Sequence, residues 1–180
     1  MSVGYDMYMR LLEEAVLEEK GEKPRPKKEC RLELKMQASI PESYISSAFE
    51  RMDLYRRIAR FRNEEDLNDM ADELIDRFGD YPAETELLMR LSLLRRRAEE
   101  LDFSEIAEKT GELQLFFGEA AVPLLPLLLA APELKGRMTV RPGERPCMIL
   151  RLRPKDDRRE ILEKLFTLME ENSPKVGEEK

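Results

Sequence analysis

The chain has 180 residues, of which 42% are hydrophobic and 38% are charged, and its net charge is −7. The length suits one domain, and the composition is that of a globular protein with a heavily charged surface. The acidic balance argues against a domain that mainly coats nucleic acid. Because the chain contains no histidine, a Ser-His-Asp or Cys-His catalytic site is excluded.

Two features concern the compartment and the membrane. Cys30 and Cys147 lie far apart in apolar contexts, which predicts buried free thiols in a reducing cytoplasm. Residues 1–10 run into a charged amphipathic segment and carry no secretory signal. The longest uncharged stretch, 120–132, has 13 residues, whereas a membrane span needs about 20. We therefore expect a buried helix there and no membrane partner.

The first third of the chain alternates between helix, loop and strand signals. Apolar residues at helical spacing predict an amphipathic helix over 5–20. The charged, proline-containing stretch 20–29 predicts an exposed loop. Strict alternation of apolar and charged residues predicts a half-buried strand over 30–36. Residues 47–101 then predict three helices.

Capping residues mark the ends of these three helices. Ser47 and Glu50 form a capping box at the first, and Asn63 can cap the second, whose first turn is acidic. Gly79 ends the second helix because it tolerates a left-handed backbone, and Pro82 suits the first turn of the third. The apolar stripe of the second helix consists of Leu67, Met70, Ala71, Leu74, Ile75 and Phe78.

The remaining residues mix strands and helices. A Thr110-Gly111 turn signal predicts a hairpin within 103–117. The later elements are a helix at 120–131, strands at 137–140 and 147–152, a last helix that reaches 171, and a flexible tail over 172–180. The order predicts a single α+β domain over 1–180: a helical subdomain (5–101, with one strand) packed beside a small, mostly antiparallel sheet (103–171, with two helices).

The negative charge is concentrated on the second of the three helices. Between Asn63 and Phe78 there are seven carboxylates and one basic residue, Arg77. An acidic ridge opposite the apolar stripe predicts a docking surface for a basic partner, with charge complementarity setting the orientation. Pairing within the helical bundle, or simple solvation, would explain the same pattern. The ridge consists of Glu65, Asp69, Asp72 and Asp76, with Glu73 and Arg77 beside it.

The helices on either side are rich in arginine, which offers a rival function. Arg56-Arg57 and the run 95–97 could contact phosphates, as in a nucleic-acid-contacting accessory domain. However, consecutive helical residues spread around the circumference, and no aromatic platform accompanies them. The chain has no phosphate-binding loop and no dinucleotide-binding motif. We therefore predict no catalytic, cofactor or metal site.

Several motifs together resemble one bacterial family. They are "GYDMYMRLLEEAV" (4–16), "CRLELKM" (30–36), "IPESYI" (40–45), "RMDLYRRIA" (51–59) and "ELIDRFGDYP" (73–82). The same motifs occur in the same order in the transcription-repair coupling factor (Mfd) family. The chain is similar to the C-terminal domain of that family almost from end to end.

The resemblance implies a role in transcription-coupled nucleotide excision repair. The full family protein is an ATP-driven DNA translocase that removes stalled RNA polymerase and recruits UvrA. Its C-terminal domain lacks the motor and is implied to be a regulatory domain. This domain docks onto the UvrB-like N-terminal module of the same protein and masks the UvrA-binding surface. UvrA, RNA polymerase and DNA would then be reached only through the full-length protein.

The resemblance also assigns roles within "ELIDRFG". Glu73, Asp76 and Arg77 are implied to form the contact face toward the UvrB-like module. Leu74, Ile75 and Phe78 are expected to hold the helix in the core. As exposed side chains, Glu73 and Asp76 are expected to contribute little to folding.

Overall fold

A computed structural model describes residues 29–174, and the helix predicted at 5–20 lies outside them. Most of the predicted loop at 20–29 and most of the tail at 172–180 lie outside them too. The described residues divide into two compact units. One unit contains residues 35–96, and the other contains residues 29–34 together with 97–174.

Three helices follow one another where the sequence predicts them: α1 (Ala48–Ile58), α2 (Glu64–Phe78) and α3 (Ala83–Glu100). The Ser47 hydroxyl accepts a hydrogen bond from the Glu50 N–H at 3.3 Å, as expected of a capping box. The predicted ends of α2 are also confirmed, and Pro82 directly precedes α3.

The core of the first unit is built from one face of each of these helices. Leu54 and Ile58 of α1, Leu67 and Leu74 of α2, and Leu88 of α3 are all buried. The buried hydroxyl side chains of Thr85 and Ser92 in this unit are both hydrogen-bonded, as buried polar groups require. The Ser92 hydroxyl, for example, donates to the carbonyl oxygen of Ile58 at 2.6 Å.

The predicted apolar stripe of α2 is wrong at one position. Leu74 is fully buried, but the side chain of Ile75 is 44% exposed, and Phe78 is only half-buried. Successive residues on a helix point about 100° apart. The buried face is centred on Leu67, Met70 and Leu74, so Ile75 lies beyond its edge.

The second unit contains a five-stranded mixed sheet. Its strands are β1 (Arg31–Glu33), β2 (Phe103–Lys109), β3 (Glu112–Phe117), β4 (Met138–Arg141) and β5 (Cys147–Arg151). Their order is β1-β2-β3-β5-β4. The β1–β2 pair is parallel, and the other three pairs are antiparallel. The α+β class and the mostly antiparallel sheet are therefore confirmed.

The hairpin turn at Thr110-Gly111 is confirmed, since it joins β2 to β3 and Gly111 has φ 76°. The strand predicted over 30–36 is shorter, because only Arg31–Glu33 pairs with β2. The chain passes into the other unit at residue 35, so the alternating pattern there continues without a strand partner.

The predicted buried helix at 120–131 is a 3₁₀ helix, Glu119–Leu124, followed by α4 (Leu125–Ala130). Pro123 and Pro126 lack the N–H group that a continuous α-helix needs, which explains the division. Only one side of the segment is buried. Val122 and Leu129 are 49% and 40% exposed, so the prediction of a buried helix was wrong for the outer side.

Helix α5 (Arg158–Asn172) completes the second unit. Its buried residues include Phe166, whose ring centroid lies 5.6 Å from that of Phe103. Cys30 and Cys147 are buried free thiols, as predicted. No helix within residues 29–174 is long and apolar enough to cross a membrane.

Candidate docking surface of helices α1 and α2

The predicted site residues lie on α2, whose ends are fixed by named contacts. The Asn63 side chain accepts a hydrogen bond from the Asp66 N–H at 3.0 Å at the start. At the end, Gly79 has φ 81°. The hydroxyl of Tyr44 donates to the carbonyl oxygen of Gly79 at 2.8 Å, so the "IPESYI" segment closes the helix that carries "ELIDRFG".

Four charged residues join α1 to α2, and we call them the ion ladder: Glu50, Arg77, Glu73 and Arg57. Nη2 of Arg77 lies 3.0 Å from Oε1 of Glu50, and its Nη1 lies 2.8 Å from Oε1 of Glu73. Arg57 donates from both terminal nitrogens to the two carboxylate oxygens of Glu73. The start of α1 therefore faces the end of α2, and the two helices run antiparallel along this line.

The ladder changes the acidity of its central carboxylate. Hydrogen bonds from Arg57 lower the pKa of Glu73 from 4.5 to about 2. Partial desolvation opposes this shift, and the hydrogen bond from Arg77 adds to it. The same hydrogen bond to Glu73 raises the pKa of the Arg57 guanidinium. Hydrogen bonds to the ionised form produce such shifts. Glu73 is thus held as a carboxylate throughout the neutral range.

The remaining predicted acids point away from the core. The four carboxylates of the predicted ridge, Glu65, Asp69, Asp72 and Asp76, are all exposed. We call them the acidic stripe. Asp76 follows the buried Leu67 by nine residues, or two and a half helical turns, which places it on the opposite side of α2. Within residues 29–174, the stripe carboxylates have neither a hydrogen-bond partner nor an ion-pair partner.

The charged residues of α2 that were predicted to contact a partner therefore separate into two groups. Glu73 and Arg77 are held in the ion ladder, and only 30% of the Glu73 side chain is exposed. Asp69, Asp72 and Asp76 are exposed carboxylates beside that ladder. The expectation that Glu73 is an exposed residue was wrong, because its side chain is half-buried and two arginines bind it.

Sequence reasoning missed the α1 half of the ladder. Glu50 was recognised only as part of the capping box, and Arg57 only as part of an arginine run. The opposite charges at similar intervals on two successive helices were the available signal. Which charges meet depends on the antiparallel register of α1 and α2, which the sequence alone does not give.

Several arginines of the proposed nucleic-acid surface are used within the fold. Arg57 belongs to the ladder, and Nη2 of Arg95 lies 3.2 Å from the carbonyl oxygen of Ala59. In the second unit, Arg97 donates to Glu170 at 2.7 and 2.8 Å. Only part of the basic charge that the sequence shows is therefore available to bind phosphates.

A cleft of about 360 Å³ adjoins the ladder in the first unit. Arg57, Arg60 and Arg62 line it together with Asp66, Asp69 and Glu73. The carboxylates would repel a bound phosphate, so the cleft is not an evident anion site. Among the described residues, there is no group of three or more side chains able to hold a metal ion.

The chain is thus an α+β protein whose helical unit carries an ion ladder beside an outward acidic stripe. Residues 34–123, half of the chain, match the family profile of the TRCF domain. The chain therefore belongs to the TRCF domain family. This confirms the resemblance to the C-terminal domain of transcription-repair coupling factor that the motifs indicated.

Curated relatives agree with this membership. The chain is 33% identical over 121 residues to the transcription-repair-coupling factor of Bacillus subtilis, covering 67% of this chain and 10% of the relative. It is 34% identical over 134 residues to the transcription-repair-coupling factor of Myxococcus xanthus, covering 74% of this chain and 11% of that relative. The chain spans about a tenth of the length of the curated relatives it matches.

A solved structure shows the same fold. The crystal structure of the C-terminal domain of a transcription-repair coupling factor superimposes with a TM-score of 0.67. The match covers 81% of this chain and 92% of that one, at 23% sequence identity. At this identity the likeness concerns the fold alone.

Proposed function

We propose that the chain is the C-terminal domain of a longer transcription-repair coupling factor and acts in transcription-coupled repair as a non-catalytic docking domain. Its partner is the UvrB-like N-terminal module of the same protein. By covering the surface of that module to which UvrA binds, the domain keeps the resting protein from recruiting UvrA. DNA translocation and contact with RNA polymerase belong to other parts of the protein.

The observation that carries this proposal is the difference between the two groups of charged residues on α2. If α2 were simply solvated, or if its charges were all paired within the bundle, its charged side chains would share one environment. Here Glu73 and Arg77 are bound across the α1–α2 line, whereas Asp69, Asp72 and Asp76 are exposed. The ladder holds the backbone that carries the stripe, and the stripe supplies unpaired charge to a partner.

The chemistry of the partner follows from this surface. Exposed carboxylates at intervals of one helical turn are complementary to lysine or arginine side chains on a facing protein surface. The ladder and the Tyr44 hydroxyl fix α2 at its side and at its end. Little ordering is then needed on docking, which lowers the entropic cost of binding.

Competition between this chain and UvrA tests the masking directly. The UvrB-like module of the parent protein is produced separately and saturated with labelled UvrA, and the 180-residue chain is then titrated in. We expect the chain to displace UvrA in proportion to its occupancy of the module. Simultaneous binding of both proteins to the module would overturn the masking, and absence of any binding by the chain would overturn the docking itself.

A further inference from the structure

Phe49 is the most exposed of the large apolar side chains in the described part of the chain. Its side chain is 77% exposed, compared with 49% for Val122 and 44% for Ile75. It lies in the first turn of α1 and precedes the fully buried Ile58 by nine residues. It therefore points away from the core, on the outer side of the helix.

The ion ladder places Phe49 at one end of the acidic stripe. Phe49 directly precedes Glu50, and Asp76 directly precedes Arg77. Glu50 and Arg77 are paired at 3.0 Å across the two helices. Phe49 and Asp76 are thus the exposed residues that directly precede the two members of this pair, which brings the start of α1, with its aromatic ring, toward the end of α2 at which the row of carboxylates ends.

The fold gives no reason for an aromatic residue at this position. Phenylalanine is not a favoured helix former, and this ring is mostly in water. Single exposed apolar residues are common on protein surfaces, but this one borders exposed carboxylates that lack a partner within residues 29–174. An aromatic anchor with a polar surround is the arrangement that dominates binding energy in protein interfaces.

We propose that Phe49 is the apolar anchor of the docking surface. It enters an apolar pocket on the partner whose border carries basic side chains, and these side chains face the acidic stripe. Met52, one turn along α1 and half-buried, extends the apolar edge. This inference rests on the proposed function, because the partner is the UvrB-like module, and it adds an α1 contact that the acidic motif on α2 does not include.

Salt dependence distinguishes an apolar anchor from the charged contacts. The 180-residue chain, Phe49→Ala and Asp76→Asn are titrated against the UvrB-like module at about 0.1 M and about 1 M salt, where the screening length falls from about 10 Å to about 3 Å. We expect Phe49→Ala to weaken binding about tenfold or more at both salt concentrations. The loss of affinity caused by Asp76→Asn should be smaller at the higher salt concentration.

Val122→Ala is the matched control, since it truncates another exposed apolar side chain, in the second unit. Normal binding by Val122→Ala and an unchanged melting temperature of Phe49→Ala are both expected. Equal losses of affinity in Phe49→Ala and Val122→Ala would overturn the inference, and so would normal binding by Phe49→Ala. If sedimentation shows that Phe49→Ala only disrupts a dimer of this chain, the ring serves self-association and the inference is overturned. If the unmodified chain does not bind the UvrB-like module, the proposed function fails together with the inference. If it binds but Phe49→Ala binds equally well, only the inference fails.

Discussion

Glu73 of α2 and Arg57 of α1 form a two-bond ion pair that joins successive helices. Arg77 binds the same carboxylate from one turn further along α2 and continues to Glu50. Two charged residues of the "ELIDRFG" motif, to which the family resemblance assigns a contact with a partner, are thus already bound within the fold. The ladder ties the two helices together, and the exposed carboxylates beside it remain available to a partner.

Replacing Glu73 should destabilise the domain. In Glu73→Gln, two arginines lose their anionic partner, and we expect the free energy of unfolding to fall by about 1 kcal/mol, a value reduced by solvent screening at these partly exposed groups. Asp76→Asn on the same helix is the control and should stay within about 0.5 kcal/mol of the unmodified chain. Urea unfolding measures both, and equal values for the two variants would contradict the structural role of the ladder.

The contribution of Glu73 should depend on pH in a defined window. Its pKa is about 2 in the folded chain and 4.5 when unperturbed. Because the folded pKa is the lower one, the stabilisation is complete above about pH 4.5 and is lost as the pH falls toward 2. The difference in free energy of unfolding between the unmodified chain and Glu73→Gln should therefore shrink between about pH 6 and about pH 3. A difference that stays constant would mean that the carboxylate is not held by the arginines.

Leu74 and Ile75 are neighbours with opposite environments, and their truncation should separate the two faces of α2. Leu74 is fully buried and Ile75 is 44% exposed. We expect Leu74→Ala to cost about 2–5 kcal/mol and Ile75→Ala less than about 1 kcal/mol. Thermal or urea unfolding checks both values. Similar losses at the two positions would restore the broader apolar stripe that the sequence predicted.

Binding to duplex DNA should be weak and non-specific at physiological salt. Acidic residues outnumber basic ones by 38 to 31, and Arg57, Arg95 and Arg97 make contacts within the fold. A fluorescence titration with a labelled duplex at two salt concentrations measures the affinity. Sub-micromolar affinity that falls steeply with salt, and is lost in a variant with Arg60→Ala and Arg62→Ala, would favour the nucleic-acid-contacting function instead.

Local signals in the sequence predicted the elements of this fold well. Ser47 and Asn63 cap their helices through side-chain oxygens, and Gly79 and Gly111 adopt the positive φ angles that stop a helix and turn a hairpin. These features depend on a few neighbouring residues, so the sequence alone contains the necessary information.

Features that depend on distant residues were not predictable in the same way. The parallel pairing of β1 with β2 and the exchange of β4 and β5 in the strand order require the full set of sheet contacts. The ladder likewise depends on the register of α1 against α2. The sequence identified the acidic helix and its outward carboxylates, but it could not distinguish the paired Glu73 from the exposed Asp76.

A titration of the 180-residue chain against the UvrB-like module tests the docking most directly, with a charge-reversed stripe and a matched control. The variant carries Asp72→Lys and Asp76→Lys, and the control reverses two exposed carboxylates of the second unit, Glu133→Lys and Glu144→Lys. We expect the stripe variant to remain folded and to bind at least about tenfold more weakly, or about 1.4 kcal/mol, while the control binds normally. Equal affinities for the stripe variant and the control would contradict docking through the acidic stripe.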